Sequence, residues 1–247
     1  MRTWLFITDL HLTHDGSKPL GKDTFAQFDR VLGQALKEKN IEAIIIGGDI
    51  SNSKEDSDVY RLVLEMLLDT EIPYYVIPGN HDDPSLMSKS GISQFELNNG
   101  ELFGRIHAPI DWIFLDTSMG EMSDIQWKWL EGQLEKNVSG SQFIAMHHPP
   151  LICGSRHMEP KYQFKQIDRF EKLIDDYFNI DFYVFCGHFH LEKTIRLKNL
   201  TAFITPSTFF QIDPESIDIQ EYMHLIGYRI MHFDPDQNLV NTHVRYI

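Results

Sequence analysis

Pro78-Gly79-Asn80-His81-Asp82 is the stretch on which the reading of this chain turns. An extended apolar run, Tyr74-Tyr75-Val76-Ile77, leads into it and stops at the Pro-Gly pair. Three consecutive residues then present an amide, an imidazole and a carboxylate. Asn, Asp and Gly are ordinary turn formers, so by itself the stretch reads as a turn. The same chemistry can also serve a phosphate-processing site. An amide oxygen can ligate a hard or borderline cation, an imidazole can exchange a proton with a reacting oxygen, and a carboxylate can orient that imidazole.

The pattern repeats outward along the chain. Trp4-Leu5-Phe6-Ile7 ends in Thr8-Asp9-Leu10-His11, where an extended backbone would send Asp9 and His11 to one side. Helical spacing from about Lys22 to Asn40 puts Phe25, Phe28, Val31, Leu32 and Leu36 on one face. Ile41 to Ile46 reads as a strand closing in Gly47-Gly48-Asp49. A second helix runs through Val59, Leu62, Val63, Met66 and Leu67 and leads back to the Asn80 stretch. Strand, helix, strand, helix, strand is the grammar of a parallel sheet with crossover helices, and such sheets gather ligands at their carboxyl ends.

Further along, Trp112 to Leu115 reads as a strand. Ser123 looks like the N-cap of a helix carrying Ile125, Trp129, Leu130 and Leu134. Phe143 to Met146 ends in His147-His148-Pro149-Pro150, and Phe182 to Phe185 ends in Gly187-His188-Phe189-His190, with a helix from about Phe164 to Phe178 between them. The remainder alternates like antiparallel strands, and residues 1–247 read as a single domain without repeats or linkers.

Pooled, the strand ends offer Asp9, His11, Asp49, Asn80, His81, His147, His188 and His190. Oxygen and imidazole donors without thiolate suit Mn, Fe, Co or Zn better than Ca or Mg. Seven candidate ligands exceed the needs of one four-coordinate ion, whereas two ions with higher coordination would use them all. Asp49 is the natural bridge, because a carboxylate has two oxygens and the preceding glycines allow close approach.

Bulk properties narrow the function. A net charge of -14 disfavours gripping a nucleic acid polymer or an anionic membrane, so neither is expected as a partner. The two cysteines, Cys153 and Cys186, make no disulfide framework and read as buried thiols. With no leader-like start and no apolar run long enough to span a bilayer, a cytoplasmic location is expected.

The blocks Asp9-x-His11, Gly48-Asp49, Gly79-Asn80-His81-Asp82, His147 and Gly187-His188-x-His190, in this order, resemble the calcineurin-like metallophosphoesterase signature over residues 3 to 210. The resemblance implies an α/β fold, a four-layer αββα sandwich of two mixed sheets flanked by helices. It implies that Asp9, His11 and His190 hold one metal ion, that Asn80, His147 and His188 hold the other, and that Asp49 bridges them. His148 is the alternative to His147. His81 is then the catalytic residue that, with Asn80, contacts the phosphoryl group, and Asp82 its orienting partner, with attack by a hydroxide between the ions. Mn and Fe are the metals expected, Zn or Co the alternatives.

Within the superfamily, the run from Pro78 to Asp83, the His147-His-Pro-Pro-Leu151 block and the tail Pro206-Ser207-Thr208 with Gly227-Tyr228-Arg229 are similar to class III cyclic-nucleotide phosphodiesterases and related glycerophosphodiesterases. The expected substrate is a small phosphodiester, with 3′,5′-cyclic nucleotides such as cyclic AMP first. A broad glycerophosphodiesterase or phosphomonoesterase is the alternative, and an inactive metal-binding scaffold is weaker, since no signature residue is lost. A homodimer is a further expectation of the resemblance, and the loop Gly154 to Glu159 is expected to overhang the site.

Overall fold

Alternation within the strands dictates the layers. In β1 (Arg2–Ile7), Trp4 and Phe6 face one way and Leu5 and Ile7 the other, and all four are buried. In β2 (Ile41–Ile46), Ala43 and Ile45 share the side of Trp4 and Phe6, while Ile44 and Ile46 share that of Leu5 and Ile7. A strand apolar on both faces must be covered on both. Here one cover is a set of helices and the other is a second sheet.

The computed structural model describes residues 2–54, 56–107, 110–137, 140–234, 237 and 239–247. The first sheet runs β13-β12-β1-β2-β3, with β3 at Tyr74–Val76, β12 at Gly227–Asp234 and β13 at Leu239–Tyr246. β1, β2 and β3 are mutually parallel, and β12 and β13 add antiparallel strands at the far edge. Helices α1 (Thr24–Ala35) and α2 (Ser57–Leu68) make the crossovers, and α3 (Pro84–Ser90) follows β3. Phe28, Val31, Tyr60, Val63 and Met87 cover the outer face of this sheet. Phe25 and Leu36, expected on the buried stripe of α1, are partly exposed; Ala35 and Thr24 are buried instead.

Two short strands, β4 (Leu97–Asn98) and β5 (Glu101–Leu102), form a separate ribbon. The second sheet contains β6 (Gly104–Ile106), β7 (Trp112–Phe114), β8 (Ser141–Ala145), β9 (Asp181–Cys186), β10 (Lys193–Leu197) and β11 (Leu200–Ile204), in the order β10-β11-β9-β8-β7-β6. β7, β8, β9 and β11 are parallel, while β6 and β10 are antiparallel edges. Its outer face is covered by α4 (Asp124–Leu134) and α6 (Ile167–Asp176), with the short α5 (Glu159–Tyr162) on the preceding loop. Ser123 caps α4 by accepting from the Gln126 N–H, as its sequence position suggests. The buried stripe of α4 runs through Trp127, Leu130 and Leu134; Ile125 lies on the exposed side, because the cap sets the phase of the helix.

Between the sheets lies an aromatic layer that includes Trp4, Phe6, Trp112, Phe114, Phe143 and Phe185. Trp4 of the first sheet stacks on Trp112 of the second, with ring centroids 5.4 Å apart. Burying each such side chain contributes about 1.5–3 kcal/mol. Helices outside and two facing sheets inside make the αββα sandwich. Among the described residues no helix is long and apolar enough to cross a membrane.

Candidate metal centre

The carboxyl ends of β1, β2, β3, β8 and β9 converge at one end of the sandwich, and there the chain leaves regular strand geometry. Asp9, His11, Asp49, His188 and His190 all have positive φ, between 48° and 68°. Left-handed backbone at non-glycine residues costs energy and is held only where the surroundings over-determine it. Contrary to the expectation from the sequence, Asp9 and His11 are therefore not extended: strand β1 stops at Ile7, and two left-handed residues curl both side chains inward. Backbone bonds hold the curl, with the Asp9 amide donating to Gly48 O and the Leu10 and His11 amides to Asp49 O. Gly79 and Gly187 allow the close approach. A Cβ on Gly79 would lie 2.3 Å from the Asp49 amide nitrogen, and one on Gly187 would lie 2.1 Å from Thr8 Oγ1.

The side chains then meet. Asp9 Oδ1, His11 Nε2 and His190 Nε2 form one group, with 3.1 Å between the imidazole nitrogens and 3.5 Å from His190 to Asp9. Asp49, His147 and His188 form a second group, with His147 Nε2 3.3 Å from Asp49 Oδ2. Asp49 also faces the first group, its Oδ2 lying 3.6 Å from His11 Nε2. Asn80 lines the same cavity and has a buried side-chain oxygen without a partner. With His81 lining the same cavity, all eight residues singled out from the sequence are neighbours.

Main-chain carbonyls orient the rings. His147 Nδ1 donates to Gly47 O at 2.8 Å, His190 Nδ1 to Phe210 O at 2.9 Å, and His188 Nε2 to Tyr162 O at 2.8 Å. A ring nitrogen facing a carbonyl must carry the hydrogen, so each imidazole turns its other nitrogen toward the centre. His11 has no such anchor, its Nδ1 being buried without a partner; its ring is packed against His81 and Phe209. His148 points elsewhere: its Nδ1 pairs with Thr117 Oγ1, and it belongs to none of the ligand-spaced groups among the described residues.

Charge is concentrated here. Burial opposes ionisation of Asp9, yet His190 and His147 hold its carboxyl below the usual range. Asp49 lies well below that range, burial being outweighed by His147 and His11. Burial also opposes protonation of His147, but Asp49 and Asp9 push it up to about 9. Burial takes His11 down to about 3 and, aided by His147, takes His188 down to about 4. At neutral pH the latter two are therefore neutral and free to ligate.

Asp82 does not orient His81. Its carboxylate accepts from the backbone amides of Ile50, Ser51 and Gly79 and from the Tyr60 hydroxyl, which pins the turns after β2 and β3 together. Burial and the nearby Asp49 charge push it up to about 6. The His81 ring is held instead by Asn52 O, 3.1 Å from Nδ1. The reason is local: a turn residue one position after His81 is closer to the turn's own amides than to the ring beside it. Asn52 carried no signal in the sequence, because its backbone carbonyl does the work.

A cavity of about 430 Å³ opens over this floor. The loop from Gly154 contributes His157 and Met158 to its wall, while Arg156 turns to Glu215 O on the surface. Ser207 and Thr208 do not enter the cavity; their hydroxyls donate to Asp9 O and fix the curl from below.

A two-sheet sandwich whose strand ends aim carboxylate, amide and imidazole lone pairs at common points defines a cation-binding hydrolytic scaffold. The chain belongs to the Calcineurin-like phosphoesterase family, whose profile matches residues 3–192, and it is a hydrolase of phosphate esters. It is 33% identical over 177 residues to a probable cyclic nucleotide phosphodiesterase of Fibrobacter succinogenes, covering 71% of this chain and 68% of that one. It is 26% identical over 253 residues to the probable glycerophosphodiester phosphodiesterase GpdQ of Arcobacter nitrofigilis, covering 98% and 92%. Its fold matches a dimetal phosphatase from Danio rerio with a TM-score of 0.69 at 14% identity, over 94% of this chain and 92% of the other.

Proposed function

We propose that the chain is a phosphodiesterase dependent on two metal ions, acting on small phosphodiesters, 3′,5′-cyclic nucleotides such as cyclic AMP first among them. The observation that carries this reading is the buried, unpartnered Asn80 Oδ1 beside a nitrogen–nitrogen approach of 3.1 Å between His11 and His190 and a second group of Asp49, His147 and His188 at ligand spacing. Buried polar atoms without partners are costly, and a cation satisfies them all at once. The donor set therefore fits the group. Asp9, His11 and His190 would hold one ion, Asn80, His147 and His188 the other, and Asp49 would reach both. Mn or Fe, with Zn or Co as alternatives, would supply Lewis-acid polarisation and an activated water there.

The chain's own residues supply the rest. Asn80 and His81 bind the phosphoryl group. Because Asn52 O fixes a hydrogen on Nδ1 of His81, the neutral ring can only accept at Nε2, so delivery of a proton to the departing oxygen requires the ring to act as the imidazolium, donating from Nε2. No lysine or arginine lines the cavity among the described residues, which favours monoanionic diesters over dianionic monoesters. The site is proposed to work on diffusible substrates in the cytoplasm.

The test is a hydrolysis panel with metal-loaded protein: cyclic AMP, cyclic GMP, glycerophosphodiesters, bis-p-nitrophenyl phosphate and its monoester. Cyclic nucleotides should lead in kcat/KM, and a preference for monoesters would sink the proposal. The likeness to the Arcobacter relative along nearly its whole length favours glycerophosphodiesters as the second reading, and the same panel separates the two.

A further inference from the structure

The wall of the cavity is chemically unlike its floor. Leu20, Met158, Tyr162, Phe209, Ile212 and Ile219 present apolar and aromatic surface, and among them stands one imidazole, His157. Its residue is 7% exposed, and its Nδ1 lies 2.8 Å from the backbone carbonyl of Ile217. That carbonyl can only accept, so Nδ1 carries the hydrogen and the neutral ring offers Nε2 as an acceptor. Among the described residues the ring belongs to no ligand-spaced group. Its loop is stitched to the 213–219 segment a second time, by the Arg156 amide on Pro214 O. The acceptor is thus held in place before any ligand arrives, which lowers the ordering cost of using it.

We propose that His157 is a specificity-determining residue, accepting a hydrogen bond from an exocyclic amine on a flat heteroaromatic ring lodged against this wall, an aminopurine being the fitting class. The reading rests on the phosphodiesterase assignment for the ester end of the substrate, while the wall supplies the choice of its organic end. A glycerol or ethanolamine moiety could donate to His157 but would leave the aromatic and aliphatic wall without a partner. A ring carrying a carbonyl in place of the amine would set two acceptors against each other. A site built around one hydrogen bond rejects analogues that cannot make it more strongly than an apolar pocket rejects a change of size.

The experiment compares cyclic AMP with the cyclic phosphates of purine riboside, which lacks only the amine, and of inosine, which carries a carbonyl there. Wild-type enzyme should prefer the amine over the unsubstituted ring by about 10-fold in kcat/KM. His157→Leu should bring that ratio to within about 2-fold of unity, and His157→Gln, which keeps an acceptor, should restore part of it. Each ratio is read within one preparation, so partial loss of metal or fold cancels.

Titration calorimetry of adenosine and purine riboside on wild type and His157→Leu reads the same preference without turnover. Parity in the wild type, an unchanged preference in His157→Leu, or no binding of either nucleoside overturns the proposal. Should adenosine show the preference while cyclic AMP is not hydrolysed, the cyclic-nucleotide reading fails and the pocket stands. Hydrolysis of cyclic AMP without any preference for the amine does the opposite: the phosphodiesterase stands and the role of His157 falls.

Discussion

The floor and the wall of the cavity are built by different means. Floor side chains sit at the ends of parallel strands, and their rings are aimed by main-chain carbonyls at Gly47, Asn52, Tyr162 and Phe210. Wall side chains sit on three connections, around residues 20, 157 and 212–219, that touch through loop-to-loop bonds such as Arg156 to Pro214 and Lys22 to Glu221. Sheet register places the floor, and four of its five imidazoles are fixed by main-chain carbonyls, His11 being held by ring packing instead. The wall has no such ruler and depends on side chains meeting across loops. Floor substitutions should therefore act on metal and turnover, and wall substitutions on substrate choice.

The sharpest way to break that division is Asp49→Ala. It removes the carboxylate proposed to reach both ions, so activity should fall by more than about 10⁴-fold and metal content should drop more than for any terminal ligand. Elemental analysis beside kcat decides, and a variant that keeps two equivalents of metal would dissolve the floor as drawn.

Next in size is His81→Ala. Loss of proton delivery should lower kcat by about 10²–10⁴-fold on an alkoxide leaving group and by much less on p-nitrophenyl esters. His81 is also spaced to join His11 and Asp49 around a cation. Metal retention in the variant therefore separates delivery from ligation, and equal losses on both substrates would assign His81 to positioning.

A third test concerns protons. With its imidazole pushed up to about 9, His147 is protonated near neutral pH before metal binds. Its pairing with the carboxylates stabilises the metal-free fold fully below the ordinary His value near 6.5, and that contribution is lost as pH rises through about 9. Metal binding near pH 7.5 should release about one proton from His147, and affinity should rise by up to about 10-fold per pH unit toward 9. Calorimetry in buffers of different ionisation enthalpy counts the proton, and a buffer-independent heat would show that His147 is already neutral when metal arrives.

The smallest effect is expected from Phe210→Leu. His190 is held by the main-chain carbonyl of residue 210, which the substitution leaves in place, so both equivalents of metal should remain. Only KM should move, by less than about 10-fold, because the ring lines the cavity. Metal loss in this variant would show that the wall packs the floor as well as covering it.

Much of the floor was legible before the fold was known, because strand ends advertise themselves. A short apolar run stops, and the residues after it lack the apolar pattern that would otherwise explain them. The Asp9, Asp49, Asn80, His147 and His188 blocks all follow that rule. What the sequence could not carry was conformation and partner choice. Nothing in Asp9-Leu10-His11 announces left-handed backbone, and Asp82 looked like a companion to His81 although nearby turn amides claim it. Trp127 in place of Ile125 on the buried side of α4 is a matter of helix phase, set by one cap. His157 lay within the loop expected over the cavity, but its partner is 60 residues away, and only the fold brings the Ile217 carbonyl to it.

The stacked Trp4 and Trp112 have an optical consequence. One indole belongs to each sheet, and at 5.4 Å their transition dipoles are close enough to couple as an exciton pair. Circular dichroism of the indole bands is then a ruler for the spacing between the sheets. It should persist while the outer helices fray and vanish only when the two sheets part.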